Sequence, residues 1–304
     1  VKTEQATRAD LDAETESPRK RIKEMEVMVA DVVTETPDTT TLVLFTGNDR
    51  LEYRAGHFLT LDPHHFTALD RFTSFLEDQK GKREPPRAYS LTSAPHEKHI
   101  AITIKEEQYV SGVTRYPPLL SPLLVRRTPR GTRMRITGFT GPYVLPDDIE
   151  QRTDHLVHLV AGSGSVPNFA ILKDSLHTGK KLRHTFIYSN KTWDDVAFGA
   201  LLQELEAKSP KRLTVVHALT RQADPSVFGS KVRPGRVSFE LLQEFIPDPD
   251  SAIVYVCGPA IGVWDKKAAA AKGEKPPQRF MEHAIELLQK LGVSHDRIKR
   301  ESYG

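Results

Sequence analysis

The stretch 155-HLVHLVAGSGSVPNFAILKDSLH-177 decides how the chain is read. Its opening, HLVHLV, is an apolar run of strand length, the pattern of a strand covered on both faces. Gly162, Gly164 and Pro167 follow, where a dinucleotide fingerprint would carry three glycines. NFAILKDSLH then reads as a helix. Glycines in such a turn permit a tight reversal and a close approach of backbone to a pyrophosphate, whose charge faces the helix N-terminus. Pro167 suits the first helical turn, where its missing N–H is not needed. A plain strand–helix turn is the competing reading.

Toward the C-terminus the same rhythm recurs. RHTFIYSN (183–190), LTVVHALT (213–220) and AIVYVCG (252–258) read as strands, and DDVAFGALLQELEAK (194–208), SFELLQEFI (238–246) and RFMEHAIELLQKLG (279–292) as helices. Alternating strands and helices predict an open parallel sheet with helices on both faces. Residues 149–304 are therefore expected to form a Rossmann-like α/β domain, with an insertion at 266–278. Cys257 falls at the carboxyl end of a strand, where such sheets bind ligands; a buried structural cysteine is the alternative. The end, 301-ESYG-304, reads most simply as a docked tail.

Toward the N-terminus the pattern changes. MEVMVADVV, TTTLVLF, GHFLTL, AYSLTS, HIAITIK and TRMRITGF are short β-branched or aromatic segments, each bounded by Gly, Pro, Asp or Asn. Six strands without long helices between them predict a small antiparallel barrel over 25–148, interrupted by a helical insertion at 64–86. Residues 1–24 are polar and are expected to be a disordered tail.

Composition sets further bounds. At 304 residues, with 38% hydrophobic and 27% charged residues, the chain suits two domains of a soluble globular protein. A net charge of +3 is too small to argue for nucleic acid. Cys257, the single cysteine, excludes an internal disulfide framework and a four-thiolate iron–sulfur cluster within these residues. A reducing, cytoplasmic setting and no membrane association are expected. The pair His64–His65 reads as a loop pair, so no metal site is expected. Arg126, Arg127, Arg130, Arg133 and Arg135 form a basic run, read as a solvated strand face or a docking patch.

Taken in order, AGHF (55–58), RAYS (87–90), Gly112-Val113-Thr114, GPY (141–143), GSGSVP (162–167), YSNKT (188–192), ALT (218–220), CGP (257–259) and ESY (301–303) resemble the ferredoxin–NADP reductase superfamily. The resemblance implies that the barrel binds a flavin, FAD with FMN as the alternative. It implies that the α/β domain binds NADPH or NADH. Arg87 would pair with flavin phosphate, Tyr89 would pack on the flavin ring and Ser90 would hydrogen-bond near its N5. Thr103 and Gly112, Val113 and Thr114 join this flavin set, Thr114 opening a phosphate-cradling helix, with Ser121–Pro122 as the alternative start. Tyr303 would cover the flavin's other face. Ser90, Cys257 and Glu301 would surround the reacting nicotinamide. Gly162, Gly164, Pro167, Thr220, Gly258 and Pro259 would line the nucleotide, with Ser189 and Lys191 at its adenosine end. Asp194 and Asp195 would suit a ribose diol, and Arg221 and Arg236 are further cations. The implied activity is a flavoprotein reductase serving an acidic electron carrier or an oxygenase component, docking on Arg126–Arg135. A free-standing reductase of soluble flavin or ferric chelates and a non-catalytic nucleotide-responsive subunit remain as alternatives.

Overall fold

A computed structural model describes residues 24–303 apart from 48–50 and 112–113. The expected tail, but for Glu24, and the Gly112 and Val113 candidates lie outside the described residues.

Strands β1 (Met25–Thr36), β2 (Thr39–Phe45), β3 (Phe58–Leu61), β4 (Arg87–Ser90), β5 (Ile100–Lys105) and β6 (Arg133–Thr140) form an antiparallel sheet in the order β4-β3-β6-β1-β2-β5. A bridge between Leu91 and Ile102 joins its two outer strands, so the sheet closes into a barrel and no long edge stays open. Alternate residues of each strand point inward, which is why Leu42, Leu44, Leu59, Leu61 and Ile102 meet in one core. Where β3 bends at Phe58–Leu59, Gly138 lies opposite at φ 129°, and a Cβ there would sit 2.9 Å from the Leu59 Cα. Only glycine fits that kink.

The second half is a parallel sheet of β7 (His155–Ala161), β8 (Arg183–Asn190), β9 (Leu213–Leu219), β10 (Val232–Pro234), β11 (Ile253–Pro259) and β12 (Ile298–Tyr303), ordered β10-β9-β8-β7-β11-β12. Eight helices accompany the two sheets among the described residues: α1 (Asp70–Lys80), α2 (Ser121–Arg126), α3 (Ile149–Arg152), α4 (Ser165–His177), α5 (Gly199–Lys208), α6 (Phe239–Phe245), α7 (Val263–Ala271) and α8 (Phe280–Leu291). One apolar layer, with Phe169, Phe186 and Tyr255, covers one face of the sheet. A second, with Leu242, Ala284 and Leu288, covers the other. The chain runs outward from β7 to β10 and returns to β11 beside β7. The switch point of the sheet therefore lies between β7 and β11, where open α/β sheets take their ligands.

Two sequence expectations change. The terminal ESY is not a docked tail: Cys257, Gly258 and Pro259 of β11 pair in parallel with Glu301, Ser302 and Tyr303. IKRESY carries no apolar alternation, so its strand form comes from its partner rather than from its own side chains. The expected helix start at Thr114 is absent. Thr114 closes a turn on Val110, and the helix begins at Ser121, with Pro122 in its first turn. Pro117 and Pro118, which lack N–H groups, stand between the two positions.

Four of the five arginines of the basic run are matched by carboxylates of the same chain. Arg126 meets Glu106 at 2.7 Å, Arg130 meets Asp31 at 2.5 Å, Arg133 meets Glu26 at 3.1 Å and Arg135 meets Glu24 at 3.4 Å. Such exposed pairs add little stability, but they cancel most of the run's field.

The apolar strand β7 hides His155, paired with Thr185 Oγ1 at 2.9 Å, and His158, which with His184 of β8 belongs to a buried polar chain. Ser175 Oγ lies 3.0 Å from His184 Nε2, and His184 Nδ1 lies 3.1 Å from His158 Nε2. His158 Nδ1 is 2.9 Å from Asn168 Oδ1, and Asn168 Nδ2 donates to the Tyr143 hydroxyl at 3.0 Å. A single donor order, from Ser175 through both rings to Tyr143, satisfies every group when both imidazoles are neutral. Burial accordingly depresses the histidines: His155, His158 and His217 fall to about 4, and His184 well below its ordinary value. Their contribution to stability is complete above the unfolded value of 6.5 and is lost as pH falls from there toward about 4. Unfolding near pH 5.5 should therefore take up roughly three to four protons. Denaturant titrations between pH 5 and 6 would measure this as a steep fall in unfolding free energy, and a flat profile there would contradict neutral burial.

Candidate active site

The site grows from the turn after β7. Gly162 has φ 53°, a left-handed value, and among the described residues nothing lies within 4 Å of the point where its Cβ would be. Its backbone is open on that side. Gly164 is the opposite case, since a Cβ there would lie 2.2 Å from the Cys257 carbonyl oxygen and 2.8 Å from the Gly258 nitrogen. One glycine of the motif leaves backbone accessible, while the other lets the turn close on β11. Pro167 lies buried in the first turn of α4. The Tyr188 hydroxyl, 2.9 Å from Ser165 Oγ and 3.1 Å from the Gly162 carbonyl, pins the turn from the side of β8.

The close approach at Gly164 sets the position of Cys257, and β12 then places Glu301 directly beside it. Two residues on, Tyr303 reaches across to the barrel, where its hydroxyl hydrogen-bonds Ser90 Oγ and also faces the Cys257 thiol. Four residue types expected from the sequence thus meet here, although Ser90 and Tyr303 stand 213 positions apart.

The electrostatics of this cluster are those of uncharged groups. Burial, with the Glu301 carboxyl beside it, holds the Cys257 thiol well above its ordinary value, so it is a neutral thiol rather than a thiolate. Burial also raises Glu301 to about 7, and its Oε2 has no hydrogen-bond partner among the described residues. A buried, unpartnered carboxyl oxygen of this kind is costly unless a ligand satisfies it. The arrangement offers a neutral thiol, a carboxyl poised near neutrality and two hydroxyls around one point.

Other candidates are distributed around this centre. Tyr89 is half-buried on the barrel core, and burial raises its phenol above the ordinary range. Arg87 lies at the far end of β4, held by Glu84 at 2.6 Å and by the Pro85 carbonyl at 2.8 Å. Gly258 is buried at the switch point, where a Cβ would meet the Phe280 ring at 2.6 Å, and Pro259 is exposed opposite Tyr303. At the ends of β8 and β9, Ser189 is buried and Lys191 exposed, and Thr220 ties the two strands together by donating to the Asn190 carbonyl. Asp195 caps a short turn by accepting from Thr192. Arg221 and Arg236 are exposed near these ends.

Thr103 stands apart. Its buried hydroxyl lies 2.7 Å from both Thr41 and Thr92, inside the barrel, and it takes no place in the cluster. His64 is occupied on both ring nitrogens, by Asp62 at 2.5 Å and Glu77 at 2.8 Å. The sequence reading missed Asn168, Tyr143 and Tyr188, the buried polar residues that brace the turn. Tyr143 lay within the quoted GPY motif, but its buried partners are far away in sequence.

Two substitutions probe this geometry. Gly164→Ala should destabilise by about 1–3 kcal/mol or more, because the clash is with backbone that cannot rotate away; a melting temperature within a degree of the parent would contradict the close approach. For Glu301 the linkage runs against that of the histidines. Its folded value lies above its unfolded value of 4.5, so its cost grows as pH rises through 4.5 to about 7 and is complete above that. Glu301→Gln should therefore raise the melting temperature at pH 8 by a few degrees and leave it nearly unchanged at pH 4.5.

Comparison with known proteins agrees with this architecture. Residues 159–262 match the family model of the oxidoreductase NAD-binding domain. The chain is 35% identical over 229 residues to the ferredoxin reductase component of 3-ketosteroid-9-alpha-monooxygenase from Mycolicibacterium smegmatis, a match covering 71% of this chain and 57% of the relative. It is 30% identical over 279 residues to the component of the same name from Mycobacterium tuberculosis, covering 88% of this chain and 66% of the relative. The chain thus spans less than two thirds of the length of either relative. The FAD/NAD-binding domain of a nitric oxide dioxygenase from Vibrio cholerae superposes with a TM-score of 0.67 at 20% identity, over 92% of this chain and 98% of that one, which is a likeness of fold. With its closed antiparallel barrel, its parallel sheet and the ordered motifs at their junction, the chain belongs to the ferredoxin–NADP reductase superfamily.

Proposed function

We propose that the protein is an NAD(P)H-dependent flavoprotein reductase that passes electrons to a separate acceptor protein. The observation that carries this reading is the meeting of Ser90 and Tyr303 across the domain boundary, beside Cys257 and the unpartnered carboxyl oxygen of Glu301.

The residues suit a flavin. Arg87, Tyr89 and Ser90 lie on one strand, and three steps of about 3.3 Å separate the cation from the hydroxyl by about 10 Å. That is the order of the distance from a flavin ring to its phosphate end. Arg87 offers a planar fork for phosphate, Tyr89 an aromatic body, and Ser90 a hydroxyl able to donate or accept. When bound, the flavin would accept a hydride from the nicotinamide and release its electrons to the acceptor.

The chain's own residues would then do the positioning. Tyr303 closes over Ser90 and yields when the nicotinamide enters. The open backbone at Gly162 and the N-terminus of α4 receive the pyrophosphate. Glu301 and Cys257 fix the nicotinamide edge without an anionic thiolate that would compete with a developing charge. FAD, with FMN as the alternative, is the flavin this reading favours. Ser189, Lys191, Arg221 and Arg236 lean toward NADPH, Asp194 and Asp195 toward NADH.

The partner is an acidic electron carrier or oxygenase component. Of the Arg126–Arg135 run, Arg127 is the docking candidate that has no carboxylate within ion-pair distance among the described residues, because the other four arginines already face acids of this chain. The two relatives named above, both ferredoxin reductase components of a monooxygenase, support the oxygenase form of this reading.

An anaerobic absorbance titration of the purified protein with NADPH, and separately with NADH, tests it. Bleaching of a flavin spectrum by stoichiometric reductant is expected, and the more effective nucleotide identifies the donor. A protein that stays colourless after FAD or FMN is added would overturn it. Ser90→Ala should slow flavin reduction by at least about tenfold while flavin stays bound.

A further inference from the structure

The insertion between β3 and β4 ends on Arg87, and it does so through a carboxylate that no part of the function above uses. Glu84 is only 2% exposed, although it is an acid in a loop. Its Oε2 accepts from Arg87 Nη2 at 2.6 Å, and its Oε1 accepts from Lys80 Nζ at the end of α1. Arg87 Nη1 donates to the Pro85 carbonyl at 2.8 Å. Each terminal nitrogen of the guanidinium therefore makes one bond to this loop. Among the described residues the Nε–H and the second hydrogen of each nitrogen remain for another anion.

The loop that carries Glu84 is itself held. The Glu84 backbone N–H donates to Glu77 Oε1 at 2.7 Å, and the same carboxylate oxygen lies 2.8 Å from His64 Nε2. His64 Nδ1 meets Asp62 Oδ1 at 2.5 Å, at the end of β3. A continuous run of charge-assisted hydrogen bonds thus passes from β3 through α1 to the tip of Arg87. Long arginine side chains otherwise sample many rotamers, so fixing one before a ligand arrives removes an entropic cost of binding.

We propose that Glu84 is the positioning residue for Arg87, orienting its guanidinium so that the edge left open faces the phosphate end of the flavin. This inference rests on the reading of Arg87 given above. A buried carboxylate near a phosphate also repels it, so position and charge act in opposite directions and can be separated by substitution. Glu84→Asp keeps the charge and shortens the reach by one methylene. Glu84→Gln keeps the reach and an acceptor oxygen and removes the charge.

Flavin dissociation constants, measured by fluorescence with FAD on both variants, decide the matter. Glu84→Asp is expected to weaken binding by about tenfold, the loss of one charge-assisted hydrogen bond. Glu84→Gln is expected to stay within about threefold of the parent. Binding by Glu84→Asp as tight as by Glu84→Gln, or tighter, overturns the proposal. The same pair is then made in an Arg87→Ala background, where the difference between Asp and Gln should vanish if Glu84 acts through Arg87; its persistence would also overturn the proposal. Arg87→Ala alone separates the two levels. Unchanged flavin binding there removes Arg87 from the flavin site, whereas weakened binding with an Asp variant that behaves like the parent removes Glu84 only.

Discussion

The contact between Gly164 and the backbone of Cys257 and Gly258 is the constraint on which the rest of the site depends. Any larger residue would push the turn away from β11. With glycine there, helix α4 begins hard against the strand that carries the thiol. That strand aligns β12, and β12 delivers Glu301 and Tyr303 to the barrel. A space of about one methyl group thus fixes the relative position of groups from opposite ends of the chain. Gly162, two residues earlier, performs the complementary task by leaving its backbone open. The same motif therefore contains one position for packing and one for access.

Burial of polar groups follows a consistent rule in the α/β domain. Histidines in its interior are kept neutral and joined by hydrogen bonds whose donor order leaves few groups unsatisfied. Among the described residues the buried atoms of this domain left without a partner are His155 Nδ1, Asn190 Nδ2, Arg212 Nε, His217 Nδ1 and Glu301 Oε2, and of these only the carboxyl oxygen belongs to the cluster around Cys257. That unmet acceptor lies where a ligand would arrive, and functional sites commonly depart from good packing in this way. The neutral thiol of Cys257 fits the same pattern, because a buried anion there would need a cation that the cluster does not contain.

The barrel side works by different physics. Its candidate residues Arg87, Tyr89 and Ser90 lie on one short strand, separated by distance along it. Ser90, at the inner end, is covered by Tyr303, while Arg87, at the outer end, is gripped by the loop of the 64–86 insertion. The insertion therefore links β3 to β4 through His64, Glu77 and Glu84, and under the proposal above it supports the flavin site.

How much of this was legible in the sequence can be traced element by element. Strand period two and helix alternation located the six barrel strands and the main parallel strands, because each buries a face that its own residues must match. Short motifs named most of the residues that now cluster, since glycine turns and strand ends constrain residue type locally. Tertiary structure decided what depends on a partner. IKRESY has no pattern of its own and is a strand because β11 lies beside it. Thr103 resembled a site residue, yet its hydroxyl is buried among Thr41 and Thr92. The arginine run looked like a free basic patch until β1 and the segments beside it supplied the acids. Glu84 gave no signal at all, because a carboxylate in a loop is ordinarily exposed. Periodicity and turn chemistry are local and can be read along the chain. Burial, ion pairing and the shift of Glu301 to about 7 arise from residues distant in sequence, and only folding brings them together.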